Sequence, residues 1–153
     1  LKELSKENKN IKFIGNVQNP LNFIKSLDIL VVPSIREPLG LVSIEAGLCK
    51  VSVIGSNIDG IPEVISNKQS GILIKPTKKI TLKEYQNQPS LPDFVINPNN
   101  YKLTKPRQLD PKILSNCILL LSILLALVNT LLTKNKGKKK IALFPKRTIF
   151  ADH

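Results

Sequence analysis

The 153-residue chain has the length of one domain, 42% hydrophobic residues and a formal net charge of +12, which together allow a buried core. The charge sits in the second half: residues 1–76 hold 9 basic and 7 acidic side chains, whereas residues 77–153 hold 14 and 4. Lysines outnumber arginines 20 to 3 and aromatics make up 5%, a set short of the forked donors and stacking rings that read nucleic acid, so no nucleic-acid partner is expected.

Strand and helix signals alternate through the first half. "LKELSKENKN" has leucines spaced as at the end of a helix, and "IKFIG" reads as a short strand closed by Gly15. "NPLNFIKSL" opens a helix, with Asn19 as its cap and Pro20 at the first helical position. "DILVVPS" is a continuous apolar strand ended by Pro33 and Ser34. "GLVSIEAGLCK" is a helix in which Gly47 would allow a close neighbour. "VSVIG" is a strand, "SNIDG" a loop, "IPEVIS" a short helix led by Pro62, and "GILIK" the last strand. Strands that are apolar throughout, separated by helices, imply a Rossmann-like open parallel sheet covered on both faces. In such sheets ligands bind beyond the carboxyl ends of the strands, and the loop after "DILVV" lies there.

The second half departs from this pattern. Residues 77–111 carry Pro89, Pro92, Pro98, Pro106 and Pro111 among many amides and read as an irregular insertion. Residues 113–133 carry no charge and run straight into "KNKGKKK", which meets the rule for a transmembrane helix. Ser115, Asn116, Ser122, Asn129 and Thr130 dilute that run and favour two packed helices instead. The expected organisation is a core over 1–76, the insertion over 77–111 and a helical segment with a basic tail over 112–153. Cys49 and Cys117 stand among apolar residues without a CxxC pair, so both are expected as buried thiols of a reducing compartment. The single histidine, His153, argues against a catalytic triad or a His-ligated metal. The chain opens on Leu1 without a signal peptide and has no methionine, so we expect a fragment, a processed product or an incomplete gene model.

Residues 36–45, "REPLGLVSIE", set Glu37 and Glu45 eight positions apart with one proline, one glycine and no other charge between them. Glu37 can cap the helix that follows. Glu45 lies between Ile44 and Ala46, where a buried carboxylate needs a partner: a ligand or a distant lysine. Glu63 reads as a local cap or loop brace, and Arg36 as a solvated loop residue.

"IKFIGNV", then "LDILVVPSIREPLGLVSIEAGLCKVSVIGSNIDGIPEVI", then "GILIKP" together resemble the C-terminal, donor-binding domain of GT-B glycosyltransferases. The closest likeness is to the large retaining family 4, or group 1, which uses sugar nucleotides in bacterial envelope synthesis. It covers residues 1–76, and Glu37 and Glu45 match the family's E-x7-E signature. The tail loosely resembles the family's closing helices, with "FPKR" at a late turn.

This resemblance implies sugar transfer from a nucleotide-diphosphate sugar to an acceptor hydroxyl with retention. Glu45 would hold the ribose diol, accepting from two neighbouring hydroxyls. Glu37, the expected catalytic carboxylate, would accept from hydroxyls of the donor sugar. Leu39, Gly40 and Leu41 would present backbone N–H groups to the sugar and diphosphate at a helix start. Val17 and Asn19 would touch the base. No cofactor and no metal is expected. The cations for the leaving diphosphate, and the domain that binds a glycan or lipid-linked glycan acceptor, belong to segments upstream of "IKFIG" that this sequence does not contain, so weak activity alone is expected. The expected location is cytoplasmic, at the inner face of the membrane, with peripheral membrane contact through the uncharged run and its lysines. The alternative is a non-catalytic pseudo-enzyme or membrane-associated interaction fragment. A phosphorylase or epimerase of the same fold is a third reading, against which "EPLGLVSIE" speaks.

Overall fold

The computed structural model describes residues 10–80, 91–132 and 141–143. In chain order the elements are α1 (Pro20–Lys25), β1 (Ile29–Val32), α2 (Leu41–Leu48), β2 (Ser52–Ser56), α3 (Ile61–Val64) and β3 (Gly71–Ile74). A short β4 (Val95–Ile96) and β5 (Leu103–Thr104), the long α4 (Pro111–Leu132) and β6 (Ile141–Leu143) follow. Strands β3, β2, β1 and β6 lie side by side in that order, every pair parallel. Ile29 pairs with Ser52 on one side and Ile141 on the other. This is the expected Rossmann-like α/β architecture.

All four residues of β1 are buried, as a strand covered on both faces requires. Successive side chains alternate between those faces. Leu30, Val32 and Val53 join Ile24, Ala46 and Ile61 in a core beneath α1, α2 and α3. Ile29, Val31, Ile54 and Ile74 join Leu109 and the inner stripe of α4 (Leu114, Cys117, Ile118, Leu121, Leu125) in a second core. Fully burying one such aliphatic side chain contributes about 1.5–3 kcal/mol. The sheet is thus held as the middle layer of three.

Local signals account for the helix starts. Pro20 occupies the first turn of α1, and the Asn19 side chain accepts the Asn22 N–H at 3.1 Å. At the start of α4, Asp110 Oδ1 accepts the Lys112 N–H at 2.9 Å, and its other oxygen pairs with Lys78 Nζ at 3.1 Å. The Lys112 backbone donor, then the Lys78 ammonium, hold this half-buried carboxyl below the usual carboxylate range.

Several expectations are corrected. Residues 11–15 form no strand, and Ile11, Phe13 and Ile14 are exposed. Both sides of β1 are taken, by β2 and β6, so residues 11–15 have no place beside it. As far as Leu132 the uncharged run lies in one continuous helix, the 22-residue α4, not two, since neither Gly nor Pro interrupts it after Pro111. Cys49 and Cys117 are free and half-buried, not buried, because both sit where helices meet solvent. Gly47 has no neighbour within 4 Å of a Cβ position, so it serves no close approach. The helical reading of 1–9, the lysine run at 134–140 and the "FPKR" turn lie outside the described residues.

Candidate functional site

At the carboxyl end of β1 the chain passes through Pro33 and Ser34 into the loop that leads to α2. Glu37 is the hub of that loop. Its N–H donates to Asp59 Oδ2 at 3.0 Å, and its carbonyl accepts the Gly60 N–H at 3.2 Å. Its side-chain Oε1 accepts the Gly40 N–H at 3.0 Å. The residue is 1% exposed, so Glu37 faces the interior of the loop. Glu37 does not cap α2 as expected: its carboxylate holds the N–H of Gly40, the residue before the first helical turn, and α2 has no side-chain cap.

Gly40 is the N-cap of α2 and adopts φ +78°, a left-handed conformation that side-chain-bearing residues rarely take. That turn sends the Ser43 and Ile44 N–H groups back to the Gly40 carbonyl at 2.8 and 3.3 Å. The N–H groups of Leu41 and Val42 have no acceptor among the described residues. They are the orphan donors of a helix N-terminus, aligned with the positive end of its dipole. Leu39 and Leu41 are exposed beside them.

Glu45 sits four residues into α2, about 6 Å along the axis from Leu41. It is half-buried rather than buried, because Ile44 and Leu48 leave that side of the helix open. Among the described residues no lysine or arginine pairs with it. Arg36 is exposed, as expected, and Glu63 makes no capping hydrogen bond on α3.

Val17 is half-buried and Asn19 exposed. The start of α1 meets the far end of α2, where Cys49 Sγ donates to the Leu21 carbonyl at 3.6 Å. No hydrogen bond joins Val17 or Asn19 to that loop among the described residues. The structure therefore gathers Glu37, Leu39, Gly40, Leu41 and Glu45 on one loop and helix, with Val17 and Asn19 ahead of α1 and unconnected to them among the described residues.

Two features escaped the sequence reading. The first is Asp59, at φ +42°, whose Oδ1 accepts the Ile96 N–H at 2.6 Å while its own N–H donates to the Ile96 carbonyl at 3.1 Å. One carboxylate thus ties the Glu37 loop to the β4–β5 hairpin. Gly60 beside it must be glycine, because a Cβ would run into the Pro38 carbonyl. The Asp-Gly pair signals a turn but not what the turn holds. The second is a set of buried hydroxyls without hydrogen-bond partners among the described residues: Ser34, Ser43 and Ser56.

A cleft of about 210 Å³ at the carboxyl ends of β2 and β3 is lined by Asn57, Lys75, Asn97, Lys105 and Arg107 among others. A second, of about 270 Å³, lies on the apolar flank between α2 and α3 and offers little to a polar ligand. Among the described residues no three His, Cys, Asp or Glu side chains gather to hold a metal ion. The Glu37–Glu45 stretch offers the half-buried Glu45 carboxylate, an acceptor for hydroxyls, and amides that can donate to an anion, while the Glu37 carboxylate is turned inward.

The model of one protein family, the group 1 glycosyl transferases, matches residues 1–88, more than half of the chain. The chain belongs to this family. Among its relatives is the alpha-maltose-1-phosphate synthase of Mycolicibacterium smegmatis, 39% identical over 51 residues, which are 33% of this chain and 13% of the relative. The capsular polysaccharide biosynthesis glycosyltransferase CapM of Staphylococcus aureus is 33% identical over 69 residues, 45% of this chain and 18% of the relative. The N-acetyl-alpha-D-glucosaminyl L-malate synthase of Bacillus anthracis is 36% identical over 63 residues, 41% of this chain and 16% of the relative. The chain spans less than a fifth of the length of each of these three.

Proposed function

We propose that this chain is the donor-binding part of a retaining GT-B glycosyltransferase, taking a nucleotide-diphosphate sugar as donor and a glycan, free or lipid-linked, as acceptor. The observation that carries this reading is the start of α2: the open Leu41 and Val42 amides stand between Glu37 and Glu45, at the carboxyl edge of a parallel sheet. The diphosphate would lie on those amides, where free donors and the helix dipole favour an anion. Glu45, one turn further along, would accept from both ribose hydroxyls. Val17 and Asn19 would face the base from the start of α1; the Asn19 oxygen already caps that helix, which leaves its amide nitrogen for the contact.

Glu37 has two tasks in this account. It holds Gly40, and thereby the direction of the open amides. As the proposed catalytic carboxylate it would also accept from a donor-sugar hydroxyl, and at 1% exposure this requires the loop to shift. In the transfer the bond from the anomeric carbon to the phosphate oxygen breaks and the electron pair leaves with the diphosphate. The acceptor oxygen bonds on the same face and passes its proton to the departing diphosphate oxygen. Charge on the leaving diphosphate would be met by the α2 N-terminus together with cations from a facing domain, so the chain alone binds donor weakly and turns over little. Donor binding is testable by titrating UDP and GDP into isotopically labelled chain. Shifts of the Gly40, Leu41 and Val42 amides support the proposal, and shifts confined to other residues contradict it.

A further inference from the structure

We infer that the outward face of α4 docks on an anionic lipid bilayer, with the helix lying along the surface rather than crossing it. This goes beyond the donor-binding reading and does not depend on it. Helix α4 is apolar on two opposite sides. Its inner stripe is spent on the sheet, where Leu114, Ile118 and Leu121 cover Ile29, Val31 and Ile54. Its outer stripe of Leu120, Ile123, Leu124 and Leu127 follows helical spacing and stands in solvent, with Leu120 66% and Leu124 57% exposed. Leu119 widens it. A surface helix of a water-soluble layer carries polar groups there, so a continuous leucine stripe points to a partner.

Charge selects the partner. Lys112 is exposed in the first turn of α4, and the sequence beyond Leu132 continues with five lysines in seven residues. No acidic residue occurs between Asp110 and Asp152. An anionic bilayer accepts the leucines and attracts the lysines at once. A second copy carries the same lysines and would add like charge, not opposite charge.

By length and composition alone this helix could cross a membrane. Crossing would strip the inner stripe from the sheet and expose Ile29, Val31, Ile54 and Ile74, which are buried in the fold. Surface docking uses the outer stripe and leaves that core intact.

Co-sedimentation of the full chain with vesicles tests this. Phosphatidylcholine vesicles containing about one part in three of phosphatidylserine should pellet the chain, and pure phosphatidylcholine should do so about tenfold less well. Salt should weaken binding and alkaline carbonate should release it. Leu120→Gln with Leu124→Gln, both at exposed positions, should weaken binding about tenfold or more at an unchanged melting temperature. Equal binding by that variant overturns the inference, as does resistance to carbonate, which would mean a crossing helix. A dimer that the same variant dissolves, without vesicle binding, assigns the stripe to a second copy and also overturns it. If the double variant folds poorly, Ile123→Cys carrying an environment-sensitive dye, in a Cys49→Ser and Cys117→Ser background, reads the same contact. A blue shift with anionic vesicles supports docking, and no shift overturns it.

Discussion

The Asp59 carboxylate accepts the backbone N–H of Glu37 at 3.0 Å across 22 residues of sequence, and Gly60 returns an N–H to the Glu37 carbonyl. This doubled link fixes the loop between β1 and α2, and with it the direction in which α2 presents its amides. The other Asp59 oxygen holds Ile96, so the hairpin and the loop share one anchor.

Removing that anchor should therefore loosen both. Asp59→Ala is expected to cost about 2–3 kcal/mol, since it strands two backbone donors that a charged acceptor now serves. Asp59→Asn, which keeps one acceptor oxygen, should cost less. The midpoint of urea unfolding measures both, at an unchanged slope.

Two glycines separate close approach from mere permissiveness. Gly60→Ala drives a methyl into the Pro38 backbone and should destabilise by about 1–3 kcal/mol. Gly47→Ala meets open space inside α2 and should stabilise by about 0.5–1 kcal/mol, through helix propensity. Thermal melts of the two variants should move in opposite directions.

The contrast marks what could be read from the chain and what could not. The apolar runs at 29–32 and 52–56, the Asn19–Pro20 helix start and the Glu37–Glu45 spacing are local signals, and the structure keeps them as elements in a parallel sheet. The edge of β1 is not a local matter: "IKFIG" has the composition of a strand, yet Ile141–Leu143, more than a hundred residues on, pairs there. Gly47 and Gly60 look alike in sequence, and only the packing of residue 38 against residue 60 distinguishes them. The Asp59 link was likewise hidden, because nothing in "SNIDG" names its partners. The role of Glu45 stays a proposal, since its own helix gives its carboxylate no partner.

Asp110 makes the start of α4 sensitive to acid. Its carboxyl is held below the ordinary range by the Lys112 N–H and the Lys78 ammonium, so its stabilising effect is present above the unfolded-state value near 4 and is lost as pH falls through the lower folded value. Following helical circular dichroism from about pH 5 down to about pH 2, the wild type should lose more stability than Asp110→Asn. Parallel acid limbs for the two proteins would remove this cap from the account.

Glu37 and Glu45 should respond differently to truncation. Glu37→Ala leaves the Gly40 N–H without its acceptor inside the loop and should cost about 1–3 kcal/mol of folding stability. Glu45→Gln, at a half-buried site without an ion pair among the described residues, should change the urea midpoint by no more than about 0.5 kcal/mol equivalent.

The most direct test of the donor site is calorimetric titration of UDP- and GDP-sugars into wild-type chain and Glu45→Gln. The account predicts weak but measurable binding of one nucleotide class to the wild type. It predicts about tenfold to a hundredfold weaker binding to Glu45→Gln, the worth of a charged acceptor shared by two hydroxyls, at an unchanged melting temperature. Equal affinity in the two proteins, or no binding of either nucleotide class to the wild type, would contradict it.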